Sequence, residues 1–117
     1  MRVLVIYSHP VETSYNAAVH AQVLASLRAA GHEVDDCDLY AEDFNPVLSR
    51  AERLGYHDIP ANRMPVERYI QRIEWAEALV FCFPTWCFGL PAMLKGFFDR
   101  VLVPGVAFDI SDPANVK

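Results

Sequence analysis

Apolar and polar positions change rhythm several times along the chain, and each change marks an element. Arg2 to Tyr7 is a nearly unbroken apolar, β-branched run, the pattern of a strand covered on both faces. A polar stretch follows from Ser8 to Ser14. Val19, Val23, Leu24 and Leu27 then recur at helical spacing, with Gly31 where a C-terminal cap is expected. His32 to Leu39 reads as a weaker strand, and its Glu33, Asp35, Asp36 and Asp38 suit a sheet edge, where charge discourages further pairing. Tyr40 to Arg63, with the breakers Asn45-Pro46, Gly55 and Pro60, is expected to be irregular, and loops of that length are usually functional. Pro65 is expected to open a helix carrying Val66, Tyr69, Ile70 and Ile73 on one face. Ala78 to Phe83 is apolar throughout and predicts a fully buried parallel strand. Pro91 opens a last helix with Leu94, Phe97, Phe98, Val101 and Leu102 inward, stopped by Pro104-Gly105.

The resulting order, β-α-β-loop-α-β-α, predicts an α/β fold: an open parallel sheet ordered 2-1-3 with helices on both faces. In such sheets ligands bind outside the carboxyl ends of the strands, where the strand order reverses. Here that is the crevice between strands 1 and 3, bordered by the loops Ser8–Asn16 and Pro84–Gly89. Topology selects the site before any motif is read.

Composition narrows the function classes. The chain has 117 residues, 53% of them hydrophobic and 21% charged, which suits one domain with a real core. A net charge of −5 argues against nucleic acid as a partner. No run approaches the roughly 18 apolar residues of a membrane span, and no signal peptide is expected. Cys37, Cys82 and Cys87 are irregularly spaced, which suits reduced thiols and a cytoplasmic location. Cys82 lies in an apolar strand and no His/Cys set has zinc spacing, so no metal site is expected.

The two loops carry the candidate chemistry. Thr13-Ser14-Tyr15-Asn16 leads into the first helix, where free N–H groups and the helix dipole make a seat for phosphate. Read locally, Thr13 or Ser14 is a helix cap and His9 a turn residue; the switch-point position favours ligand contact for both. The second loop, Pro84-Thr85-Trp86-Cys87-Phe88-Gly89, is unusually aromatic for a turn at a polar crevice, and a flat aromatic ligand could lie against Trp86 and Phe88. Gly89 is expected to shape that turn. Asp99 and Arg100 read as a surface ion pair. Neither a Gly-x-Gly-x-x-Gly fingerprint nor a Gly-Lys-Ser/Thr loop is present.

A phosphate seat beside an aromatic cradle fits a flavin, and the pattern goes further. Ser8 to Asn16, Asp38-Leu39-Tyr40-Ala41 with Phe44-Asn45-Pro46, and Phe83-Pro84, Phe88 to Gly96, Asp99-Arg100-Val101 and Ala107-Phe108 occur in one order. Together they resemble the DT-diaphorase-like NAD(P)H:quinone oxidoreductase family of flavodoxin-fold flavoproteins over nearly the whole chain. The resemblance implies a homodimeric enzyme that passes hydride from NAD(P)H to a quinone by a ping-pong route, with FAD, or alternatively FMN, as cofactor. His9, Tyr15 and Asn16 would contact the ribityl-phosphate side, with Thr13 and Ser14 beside them. Pro84, Thr85, Trp86, Cys87 and Phe88 would line the isoalloxazine, and Phe108 would border the quinone pocket.

Two departures mark this chain. The family often has its Trp three places after the Pro; here Cys87 stands there and Trp86 precedes it. Family members also continue through two more strand–helix units, which supply a Gly-rich flavin loop and a Tyr/His charge relay. Residues 1–117 are therefore expected to be the N-terminal part of a single longer domain, to leave Phe81 and Phe83 on an open edge, and to bind flavin weakly alone. The apolar arc of the last helix, Met93 to Leu102, is a candidate dimer interface. Two alternatives keep the flavin: a regulatory flavoprotein of a potassium efflux system, and a flavodoxin-type electron carrier. A phospho-receiver would need an aspartate where Phe83-Pro84 stands.

Overall fold

The apolar run at the start of the chain forms β1 (Arg2–Tyr7), the central strand of a three-stranded parallel sheet in the computed structural model. Residues 1–109 and Ala114 are described by the structure. β2 (Glu33–Asp38) and β3 (Ala78–Cys82) flank β1 in the order β2-β1-β3, as the alternation of elements predicts. Tyr7 stands opposite both Asp38 and Cys82, so the three strands end level on one rim.

Side chains alternate across the sheet and so sort its two faces. Leu4, Ile6 and Cys37 enter a core built with Leu39, Phe44, Ile70, Leu94, Phe97 and Val101. That face is covered by α3 (Glu67–Trp75) and α4 (Ala92–Val101). α1 (Tyr15–Ala29) covers the other face, where His20 stacks on Tyr7 with ring centroids 3.8 Å apart. Gly31 ends α1 at φ +87°: its N–H reaches Arg28 O and the His32 N–H reaches Leu27 O, the paired bonds of a left-handed cap.

Five expectations are corrected. The 40–63 stretch is not wholly irregular, because α2 (Arg50–Leu54) is closed by a reciprocal capping box between Ser49 and Glu52. A 3-10 turn (Ala61–Val66) takes in Pro65, so α3 begins two residues later than Pro65 suggests. Asp99 and Arg100 do not pair with each other. Asp99 binds Lys95, while the Arg100 Nε–H donates to Glu52 at 2.9 Å and another guanidinium N–H to Asn45 O at 2.7 Å. Burial by itself would raise the Glu52 pKa; Arg100 and Ser49 outweigh it and hold the carboxyl below its ordinary value. The segment thus fastened lies so close to α4 that a Cβ on Gly96 would stand 2.1 Å from Pro46 O. Finally, β3 is half-exposed. Val80 and Cys82 turn toward α1, whereas Leu79 (40%) and Phe81 (38%) stay open to solvent, for Phe81 as the open-edge expectation has it, with Phe98 the ring against Phe81. Phe83, expected on that edge, packs against the core instead.

The opposite edge is closed chemically. Arg72 from α3 binds Asp35 through two bonds of 2.8 and 2.9 Å and reaches Glu42 at 2.6 Å. On the other face of β2, Asp36 holds His20 Nε2 at 2.8 Å. The apolar arc of α4 is largely used within the chain: Leu94, Phe97 and Val101 are buried, and Met93 and Phe98 pack against them.

Candidate functional site

Loop 8–14 leaves β1 and returns as α1. The Ser8 N–H donates to Cys82 O at 3.1 Å, which continues the sheet pairing by one residue and ties this loop to the end of β3. Ser8 is fully buried, yet its Oγ has no partner among the described residues. The Val11 N–H donates to His9 Nδ1 at 3.0 Å, so the neutral ring carries its proton on Nε2 and presents a donor there. Ser14 Oγ accepts the Ala17 N–H at 3.0 Å, which is the helix-cap reading of this residue. Burial raises the pKa of the neighbouring Tyr7, while a hydrogen bond from Ser14 pulls the other way. Tyr15 and Asn16, the first residues of α1, have N–H groups with no protein acceptor among the described residues. Thr13 and Tyr15 are exposed and Asn16 is half-buried.

Loop 84–89 leaves β3 and is a closed hairpin. The Trp86 N–H donates to Gly89 O at 3.1 Å and the Gly89 N–H to Trp86 O at 3.0 Å. The two residues between them are left-handed, Cys87 at φ 49° and Phe88 at φ 63°. Positive φ at both central positions defines the type I′ turn, normally built from Asn and Gly. Two residues with side chains here cost roughly 1 kcal/mol or more each. Gly89 is not the strained position: its φ is ordinary and a Cβ there would meet nothing within 4 Å. The sequence carries no mark for positive φ at Cys87 and Phe88. The strain leaves Phe88 completely exposed, Trp86 at 41% and Cys87 open, while Pro84 is half-buried and Thr85 exposed. The N–H groups of Thr85, Cys87 and Phe88 find no acceptor among the described residues.

The two loops meet. The His9 ring stands edge-on to Trp86 at 5.5 Å, and the Cys82 thiol faces Asn16 Oδ1 at 4.0 Å. His9, Ser14, Tyr15, Asn16 and Trp86 to Phe88 therefore border one rim. Phe108 closes the 104–108 turn through its carbonyl oxygen, which accepts the Gly105 N–H at 2.8 Å, and that turn rests on Asn62, whose side-chain N–H donates to Pro104 O at 2.9 Å. No ring contact among the described residues joins it to Trp86 or Phe88. Burial pushes the Cys37 thiol up to about 12 and raises Cys82, so both are held protonated. Among the described residues no three His, Cys, Asp or Glu side chains gather to hold a metal ion, and no helix is long and apolar enough to cross a membrane.

The rim's donor set fits a flavin phosphate and a flat heteroaromatic ring. Unpaired N–H groups stand at a helix start and in the hairpin, beside exposed aromatic faces and the orphaned Ser8 Oγ.

A three-stranded 2-1-3 sheet with this rim defines a flavodoxin-like protein. The chain belongs to the family described as having a flavodoxin-like fold, which matches residues 1–117. It is 36% identical to the NAD(P)H dehydrogenase [quinone] 1 of Rattus norvegicus, covering 92% of this chain and 45% of that protein. The chain spans about half the length of the curated relatives it matches. Among solved structures, the NAD(P)H:quinone oxidoreductase from Methanothermobacter marburgensis superposes with a TM-score of 0.78 at 34% identity, over 92% of this chain and 56% of that one. Smu.1420 from Streptococcus mutans superposes with a TM-score of 0.83 at 37% identity, over 100% of this chain and 61% of its own.

Proposed function

We propose that this chain belongs to a flavin-dependent oxidoreductase that moves hydride from NAD(P)H to a quinone or a similar acceptor in two successive half-reactions. In this reading it works as a cytoplasmic homodimer with FAD, or alternatively FMN. The carrying observation is the meeting of two loops, one with fixed donors at a helix start and one with bare aromatic rings and free N–H groups. Relatives whose names specify NAD(P)H and quinone support the reaction class.

Bound flavin supplies the hydride chemistry, and the protein orients and tunes it. The free Tyr15 and Asn16 N–H groups at the start of α1 and the His9 Nε2–H would hold a phosphate, with the Thr13 hydroxyl as a further donor. Ser14 acts through Ala17, keeping the helix start in place. Trp86 and Phe88 would offer ring faces to a flat ligand, the Thr85, Cys87 and Phe88 N–H groups would donate to its edge, and Pro84 would stiffen the approach from β3. Phe108 is retained as a candidate wall of the acceptor pocket.

The test is to release any cofactor from the purified protein, record its absorption and mass, and add flavin to the emptied chain. NADH or NADPH added without oxygen should bleach the bound flavin with no quinone present, and quinone alone should restore the colour. Bleaching that requires both substrates together would contradict the two half-reactions. Absence of any saturable flavin uptake would contradict the reading itself.

A further inference from the structure

Away from the rim, α2 and the 3-10 turn border a cavity of about 300 Å³, a volume at the lower end of the range for small-molecule sites. Small side chains give it room: Ala51, Ala61 and Pro65 are among its walls. Its charged walls are both acids, Glu52 and Asp58, and no Lys, Arg or His among the described residues lines it. The two carboxylates are in different states. Glu52 is spent: one oxygen accepts the Ser49 N–H at 3.2 Å and the other the Arg100 Nε–H at 2.9 Å, so the guanidinium neutralises it. The Asp58 carboxylate has no partner among the described residues. Its Oδ2 lies 3.6 Å from where a Cβ on Gly55, another wall of the cavity, would stand. Asn62 completes the set. It gives its amide protons to Tyr56 O and Pro104 O, each at 2.9 Å, which fixes which amide atom is the oxygen. That Oδ1 is buried with no donor among the described residues. A buried acceptor left unpaired is costly, and native chains rarely keep one without a water or a ligand to serve it.

One uncompensated negative charge, an unserved buried acceptor and short aliphatic walls call for a compact cation rich in donors, carried on a small apolar body. We propose that this cavity binds a small aliphatic primary amine, with its ammonium on the Asp58 carboxylate, one N–H serving Asn62 Oδ1, and its alkyl chain against Ala51, Ala61 and Pro65. An ammonium has three donors and no acceptor, and hydrogen bonds to an ionised acid are the strong ones. A divalent metal does not fit the donor set, since among the described residues no three His, Cys, Asp or Glu side chains gather. A second ammonium finds no free acid, because Arg100 already holds Glu52. The site is therefore built for one positive charge. Bound amine also reaches the 104–108 turn: Asn62 is tied to Pro104 O, which belongs to the same peptide group as the Gly105 N–H. The inference uses none of the residues of the flavin reading and stands or falls apart from it.

The experiment titrates the chain with butylamine, butanol, butyrate and diaminobutane at neutral pH and constant ionic strength, following backbone and side-chain amide chemical shifts. At that pH the amines are fully charged. Butylamine should bind weakly but saturably and shift the Asn62 side-chain amide and the Asp58, Ala61 and Gly105 backbone amides along one curve. Butanol, similar in shape but uncharged, should bind several-fold more weakly, and butyrate should leave those signals unmoved. Diaminobutane should gain no more than the statistical advantage of its two ends. Asp58→Asn, at an exposed position, should abolish the preference for butylamine over butanol while the urea midpoint holds. Ala61→Leu should fill the cavity and remove binding of both. Any one of four results overturns the inference: equal affinity for butylamine and butanol, butylamine binding unchanged in Asp58→Asn, affinity unchanged in Ala61→Leu, or shifts that sodium chloride reproduces. Saturating butylamine should leave FMN affinity unaltered, so loss of amine uptake and loss of flavin uptake register as separate failures.

Discussion

Loop 8–14 ties itself into the fold: Ser14 caps α1, the Val11 N–H holds the His9 ring and the Ser8 N–H is stitched to Cys82 O. Loop 84–89, across the crevice, closes two bonds between Trp86 and Gly89 and leaves the rest strained and bare. Each end of a flavin asks for one of these designs. A phosphate is best met by donors already fixed in direction, since nothing has to reorganise when the charge arrives. A ring needs exposed aromatic surface and outward N–H groups, which a folded chain holds only by tolerating local strain. The first loop is thus organised for stability and the second against it.

Thiol chemistry offers the widest contrast. Cys87 sits exposed at the hairpin tip, whereas Cys37 and Cys82 are buried and kept protonated. Alkylation followed by mass spectrometry should modify Cys87 faster than the other two by roughly two orders of magnitude or more, because those react only through opening of the fold. Bound flavin should slow Cys87. Comparable rates at all three would mean the hairpin is not as open as its geometry.

Removing the rings separates binding from folding. Trp86→Ala with Phe88→Ala should weaken FMN binding by about tenfold or more in a fluorescence titration. The urea midpoint should hardly move with Phe88→Ala alone, since Phe88 contributes no buried surface, and should fall only modestly when Trp86, which is more than half covered, is removed as well. A large loss of stability would break the claim that this loop is built for a ligand.

The smallest pair of changes should move stability in opposite directions. Ser14→Ala removes a cap and should cost about 1 kcal/mol in urea unfolding. Cys87→Gly relieves a left-handed side chain and should stabilise by a few tenths to about 1 kcal/mol after glycine's chain entropy is counted. Gly89→Val should leave the hairpin closed, because Gly89 carries no special φ and has open space around it.

Local pattern revealed what local physics decides. The β1 run, the Gly31 cap, the charged β2 edge and the 2-1-3 order follow from residue type and crossover geometry. The Ser49-x-x-Glu52 capping box was also written in the chain, and it would have found α2 inside the supposed irregular stretch. Arg100 could not be read that way, since its partner Glu52 lies 48 residues away and meets it only when the loop crosses α4. β3 looked fully buried because composition reports apolarity, whereas exposure depends on what packs beyond the edge. The crevice between β1 and β3 followed from topology. A second cavity of about 440 Å³, beside β2, did not, because it depends on where Asp38, Tyr40 and His20 come to rest.

The central claim is that both loops grip one flavin. Nitrogen–proton correlation spectra of the chain, recorded through an FMN titration, test it residue by residue. The amides of Tyr15 and Asn16 and those of Thr85, Cys87 and Phe88 should shift along a single binding curve, weak but saturable. Shifts confined to one loop, two curves with different midpoints, or unmoved amides at saturating FMN would contradict it.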